Sequence, residues 1–168
     1  MYQVPKGTSD ILPDQQYFWN FIKDQAKKSS KTFGFEEIET PTFEETELFE
    51  RGVGSDSDIV QKEMYSFTDS SEKSFTLKPE GTAAVCRAFI QNGMNNLPKP
   101  IRLFYISSMF RHERPQSGRL RQHHQFGAEI FGDESPEIDA ELIELGLHYL
   151  SSLGLKKLKI KINSIGDK

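Results

Sequence analysis

The sequence predicts an α+β fold, a mixed and largely antiparallel sheet with flanking helices. Three observations predict it. Helical and extended segments follow in the order helix, strands, helix, hairpin, helix, strand, which is not the regular alternation of a doubly wound parallel sheet. Two long segments, Ile101 to Phe110 and Gln122 to Phe131, lie either side of a turn-rich loop and read as an antiparallel pair, the first rich in β-branched and aromatic residues. The chain has 168 residues, 36% hydrophobic and 27% charged, enough for one compact core without disulfide or metal staples.

The elements follow in order. Asp10 to Pro13 is a turn, with Pro13 at the first position of a helix, where its missing N–H is not needed. From there to Phe33, Phe18, Ile22 and Ala26, flanked by Tyr17 and Phe21, recur at helical spacing, and Gly34 is placed to cap the end. Phe35 to Thr40 is a short strand that Pro41 should end. Phe43 to Arg51 reads as a short helix and Gly52 to Ser57 as a loop. Lys62 to Thr68 and Ser74 to Leu77 form a hairpin across Asp69 to Lys73. Thr82 to Gln91 is helical, with Ala84, Ala88 and Phe89 on its apolar face. Ser135-Pro136-Glu137 opens a last helix, with the serine hydroxyl as cap, and Ile138, Leu142, Leu145, Tyr149 and Leu153 face inward. Leu158, Ile160 and Ile162 then alternate with Lys157, Lys159 and Lys161 as a half-exposed strand.

Composition narrows the function classes. No apolar run approaches the ~20 residues of a membrane span, and residues 1–7 lack the apolar centre of a signal peptide, so a cytoplasmic protein with no membrane partner is expected. The single cysteine, Cys86, precludes an intramolecular disulfide and suits a reducing compartment. The net charge of −4 argues against a generally basic nucleic-acid binder. Yet Arg111, Arg114, Arg119 and Arg121 gather in a short stretch with only Glu113 opposing them, as a local anion site would require. The same arginines would serve equally as a solvated turn, the more common use of such a run.

No glycine-rich phosphate loop, dinucleotide fingerprint or nucleophile elbow is present. The histidines 112, 123, 124 and 148 are not spaced as a metal pair on one helical face, and no metal site is expected. Two places remain. Around the arginines, Arg111 and Glu113 are two apart on a strand, and Gln125, Gly127 and Glu129 share one face of the returning strand. Ion pairs on sheet faces are common, so this pattern alone is weak. Lys78-Pro79-Glu80-Gly81-Thr82 ends a strand and opens a helix. It is either a capped turn, with Glu80 or Thr82 on the helix amides, or a corner where a small polar ligand docks.

Taken together the residues resemble a known family. Phe110-Arg111-His112-Glu113-Arg114-Pro115, with Arg121-Gln122 and Phe126-Gly127-Ala128-Glu129, resembles motif 2 of the class II aminoacyl-tRNA synthetases in its histidyl form. Phe33 to Ile38, leading to Pro41, is similar to motif 1. Lys6 to Asp10, Glu63 to Phe67, Pro79 to Thr82, Asp139 to Leu142 and Asn163 to Gly166 resemble further landmarks of that family in order, over essentially the whole chain.

The resemblance implies a class II catalytic core and activation of L-histidine by ATP, followed by transfer to tRNA(His). It implies that Arg111 is catalytic, binding the α-phosphate and the amino acid. Glu113 would lie near the adenine amino group, Arg119 or Arg121 near the distal phosphates, and His123 against adenine where the family usually has an aromatic ring. Glu80, Gly81, Thr82, Gln125 and Glu129 would line the histidine pocket. Mg²⁺ would accompany ATP, and the motif 1 region, Gly34 to Pro41, would form a homodimer interface. The family's third motif and anticodon-binding domain do not occur through Lys168, so residues 1–168 are expected to be the N-terminal portion of the catalytic domain and inactive alone. The alternative reading is a non-catalytic, synthetase-like regulatory subunit of ATP phosphoribosyltransferase. The intact Glu80-Gly81-Thr82 corner and loop arginines disfavour it, and Arg121 to Gln125 fits the histidyl form better than the prolyl or threonyl enzymes.

Overall fold

The computed structural model describes residues 1–54, 59–112 and 118–163, without the side chains at positions 53, 59 and 61. Among them are four α-helices, α1 (Gln16–Thr32), α2 (Thr46–Val53), α3 (Thr82–Gln91) and α4 (Pro136–Ser152). Six strands accompany them: β1 (Glu36–Glu37), β2 (Phe43–Glu45), β3 (Tyr65–Thr68), β4 (Ser74–Leu77), β5 (Ile101–Phe110) and β6 (Gln122–Phe131). The class is α+β, as the sequence predicts. The strands form two three-stranded sheets, ordered β1-β5-β6 and β2-β4-β3.

β5 and β6 pair antiparallel along their whole length, from Ile101 opposite Phe131 to Phe110 opposite Gln122. β1 adds to β5 in parallel, Glu36 opposite Leu103. Because side chains alternate along a strand, this sheet has two apolar faces. On one, Ile101, Leu103, Tyr105 and Met109 pack with Val85 and Phe89 of α3. On the other, Phe104 joins Phe35 and Leu145 of α4, with Ile106, Phe126, Ala128 and Ile130 around them. Phe104 and Leu145 are buried completely enough that each contributes about 2 kcal/mol of transfer free energy.

Lys78 ties the second sheet to the first. Its N–H donates to the Thr42 carbonyl and its own carbonyl accepts the Phe110 N–H, both at 3.0 Å. The side chain is only 2% exposed. Its ammonium donates to the Thr40 carbonyl at 3.2 Å and the Thr40 hydroxyl at 3.3 Å. Burial pulls its pKa below the ordinary lysine value, and Glu39 and Glu44 act in the opposite direction.

Several elements differ from expectation. A strand-helix unit replaces the helix expected from Phe43: β2 forms first because β4 offers it an edge, with Phe43 opposite Leu77. The first hairpin strand begins at Tyr65, after a π-helical turn over Ile59–Glu63, so Lys62 is not in it. α2 reaches Val53, past Gly52, and residues 55–58 of the expected loop lie outside the described residues. Of the expected stripe of α1 only Ala26 is buried, together with Ser29 and Ser30, while Phe18 and Ile22 and the flanking Tyr17 and Phe21 are exposed. Ser135 precedes α4 without a side-chain capping bond; its N–H is instead held by Asp133 Oδ1 at 2.9 Å. Leu158 to Ile162 joins no ladder among the described residues, and its apolar side chains are exposed.

Candidate active site

The α3 face of the β5–β6 pair becomes polar where β6 carries Gln125, Gly127 and Glu129, opposite Ser107, Tyr105 and Leu103. The turn from β4 into α3 meets that face. Thr82, the first residue of α3, donates its hydroxyl to Glu129 Oε1 at 2.7 Å. Glu80 turns its carboxylate onto the helix: Oε2 accepts the Thr82 N–H at 2.6 Å and Oε1 the Ala83 N–H at 2.9 Å. That is the capping role expected of an acid at a helix N-terminus. Its charge still reaches Glu129, whose pKa is raised first by burial and further by Glu80, while donors from Thr82 and Tyr105 lower it.

Arg111 follows the last residue of β5 and does not continue it as a ladder residue; its N–H donates to the Arg121 carbonyl at 2.9 Å. Its side chain is half-buried, and Nε donates to the Pro79 carbonyl at 2.9 Å. The guanidinium is therefore drawn to the Pro79-Glu80-Gly81-Thr82 corner, the corner that also holds Glu129. Arg111, Glu80, Gly81, Thr82, Gln125 and Glu129 thus belong to one region of the molecule.

The other expected residues divide. His123 stands opposite Met109, so it lies on the same sheet face as Gln125 and Glu129, and it is half-buried. His124 faces the other way, its ring 4.4 Å from that of Trp19 in α1. Arg121 is half-buried and its N–H donates to the Gly7 carbonyl at 2.7 Å, which ties the N-terminal segment to the start of β6. Arg119 is exposed on the loop before β6. Glu113, with Arg114 to Ser117, lies outside the described residues.

Tyr105 was not a sequence candidate, and the structure places it at the centre of this region. It is 4% exposed. Gln125 Nε2 donates to its hydroxyl at 3.2 Å, and that hydroxyl also interacts with Glu129 and Thr82. A β-carbon added at Gly81 or at Gly127 would overlap the Tyr105 ring at Cζ. Both glycines therefore provide space for this ring rather than backbone freedom. Burial, then the Glu129 charge, pushes the phenol pKa well above its ordinary value, so it is a neutral donor. A polar tip inside an apolar strand was the available signal.

No helix of the described residues is long and apolar enough to cross a membrane. Among the described residues no three His, Cys, Asp or Glu side chains converge to hold a metal ion.

A family model for histidyl-tRNA synthetase matches residues 7–166. A histidine–tRNA ligase of Desulfitobacterium hafniense is 52% identical over 164 residues, covering 98% of this chain and 39% of that protein. One from Dehalococcoides mccartyi is 49% identical over 166 residues, covering 99% of this chain and 40% of the relative. Among solved structures, apo histidyl-tRNA synthetase of S. aureus superposes with a TM-score of 0.78 at 40% identity, over 93% of this chain and 36% of that one. A Bacillus halodurans structure described as an ATP phosphoribosyltransferase regulatory subunit/histidyl-tRNA synthetase gives 0.79 at 29% identity, over 94% and 39%. The chain spans about two fifths of the length of the curated relatives it matches.

Proposed function

Since this chain belongs to the histidyl-tRNA synthetase family, we propose that it is the N-terminal portion of the catalytic domain of a histidine–tRNA ligase. Such an enzyme activates L-histidine with ATP and transfers it to tRNA(His). The convergence of Arg111 with Glu129 on the Pro79–Thr82 corner carries this reading. A carboxylate held by Thr82 and Tyr105 accepts an N–H of an imidazole or ammonium. A guanidinium at the same corner binds a phosphate and stabilises charge that develops there.

In the proposed reaction the histidine carboxylate attacks the α-phosphorus of ATP in line, a P–O bond forms to histidyl-adenylate, and pyrophosphate leaves. Arg111 neutralises the charge on the α-phosphate oxygens during that displacement. Gln125, Thr82 and Glu129 bind histidine, and Gly81 keeps the corner open to the Tyr105 ring beneath it. The amides that Glu80 caps hold its carboxylate rigidly beside the amino-acid site. Glu113, His123, Arg119 and Arg121 are proposed on the nucleotide side. ATP would enter as its Mg²⁺ complex, the cation supplying charge neutralisation of the phosphates beside Arg111.

The protein is proposed to act in the cytoplasm as a homodimer through the region from Gly34 to Pro41. β1 lies within that region, an edge strand of its sheet with Glu36 and Glu37 both exposed. Histidine-dependent exchange of pyrophosphate into ATP by the full-length protein tests the function. The likeness to the Bacillus halodurans structure keeps a regulatory-subunit reading as the rival. Absence of exchange together with stimulation of an ATP phosphoribosyltransferase would establish that rival instead.

A further inference from the structure

We propose that Tyr105 is a positioning residue that fixes the Glu129 carboxylate as an acceptor toward the amino-acid pocket, and so sets the pocket's selection for a cyclic N–H donor such as imidazole. The proposal rests on the synthetase reading above and names a residue that contact with substrate would not identify.

Its basis is geometric. The ring is immobilised because two strand and helix-turn positions are glycine: a side chain at Gly81 or at Gly127 would overlap it. A ring held so tightly puts its hydroxyl at a fixed point. There it accepts from Gln125 Nε2 at 3.2 Å and is within reach of Glu129. Glu129 in turn accepts from Thr82 at 2.7 Å. The chain Gln125 to Tyr105 to Glu129, closed by Thr82, gives the carboxylate two donors and leaves lone pairs over for a substrate N–H. An unsupported half-buried carboxylate would rotate or take up a proton, and either change removes an acceptor.

The groups that face Glu129 are Tyr105 from β5 and Glu80, Thr82 and Cys86 from the corner and α3. Burial and the Glu80 charge favour its protonated form, whereas the Thr82 and Tyr105 donors favour its ionised form. Removing the phenol hydroxyl therefore moves Glu129 toward protonation and carries the acid limb of histidine use upward in pH.

The test is Tyr105→Phe in the full-length enzyme, which keeps the ring between the glycines. Pyrophosphate exchange is measured against histidine and against ATP from pH 5 to 9, with unfolding midpoints recorded alongside. Free histidine titrates identically in both assays, so differences belong to the protein. The expected result is a rise of about tenfold in the histidine KM at neutral pH, an acid limb moved upward, and an ATP KM within twofold of the original. An unchanged histidine KM and acid limb overturns the proposal, as does a parallel rise of both KM values. Glu129→Gln supplies a second arm: adding Tyr105→Phe to it should cost no further loss for histidine, and a full additional loss contradicts action through Glu129. If the unaltered enzyme shows no histidine-dependent exchange, the functional reading and this proposal fall together. If that exchange is normal and Tyr105→Phe is indifferent, only this proposal falls.

Discussion

Thr82 Oγ1 donates to Glu129 Oε1 at 2.7 Å across 47 residues of chain. The bond joins the first turn of α3 to the β5–β6 ladder, two pairs in from its Ile101–Phe131 end. Each end is fixed separately, Glu129 by the ladder opposite Leu103 and Thr82 by the Glu80 carboxylate on its N–H. The pocket wall is therefore a tertiary product, and substitutions that disturb either support should be felt at the other.

Gly127→Ala tests the space requirement. Alanine suits a strand better than glycine, so propensity alone favours the substitution. Overlap with the Tyr105 ring opposes it. A net loss of ~2 kcal/mol is expected from urea unfolding of the full-length protein, as for an overpacked core. Shortening the neighbour with Tyr105→Leu should recover part of it. A neutral or stabilising Gly127→Ala would contradict the packing described.

Lys78 offers a test of the joint between sheets. Its folded-state pKa lies below the unfolded value because of burial. Between those two values the unfolded chain binds more protons, so stability rises with pH across that window, and below it the full cost of burying the charge is present. Lys78→Met keeps volume and removes the titration. The stability of the unaltered protein relative to Lys78→Met should therefore climb as pH rises through the folded-state value, measured by denaturant unfolding from pH 7 to 10. A flat difference would exclude a depressed pKa.

Arg111→Ala in the full-length enzyme should lower the rate of histidine activation by ~10²-fold or more, the usual effect of losing a charge partner of the transition state. Arg111→Lys should recover little, because the Nε contact to Pro79 that sets the guanidinium plane is lost. Pre-steady-state adenylate formation measures both. An unchanged rate would remove Arg111 from the chemistry.

Sedimentation of the full-length protein should give a dimer. Charge reversal at Glu36, exposed on the edge strand β1 within the proposed interface, should weaken it. A cleanly monomeric species would count against the interface proposed around Gly34 to Pro41.

Much of the fold was legible because its strongest elements are self-consistent in sequence. β5, β6 and α3 begin and end where apolar patterning and turn residues place them. The less legible elements depend on neighbours. β2 is a strand because β4 pairs with it, and the alternating Lys157 to Ile162 segment is not one because no described strand lies beside it. The stripe Phe18, Ile22 and Ala26 of α1 has the period of a buried face, yet only Ala26 is buried, with Ser29 and Ser30 one turn on. In the site, alternation was enough to put Gln125 and Glu129 on one face, while their meeting with Thr82 required the tertiary fold. Tyr105 was hidden by its surroundings: within an apolar strand it reads as core, and only the ring's fit between Gly81 and Gly127 shows why two glycines stand there.

The most direct measurement is a crystal structure of the full-length protein with a non-hydrolysable histidyl-adenylate analogue. The imidazole should lie within hydrogen-bond distance of Glu129, with the group replacing the α-phosphate beside the Arg111 guanidinium. An analogue seated on the opposite face of the β5–β6 sheet, or one that touches neither residue, would contradict the site described above.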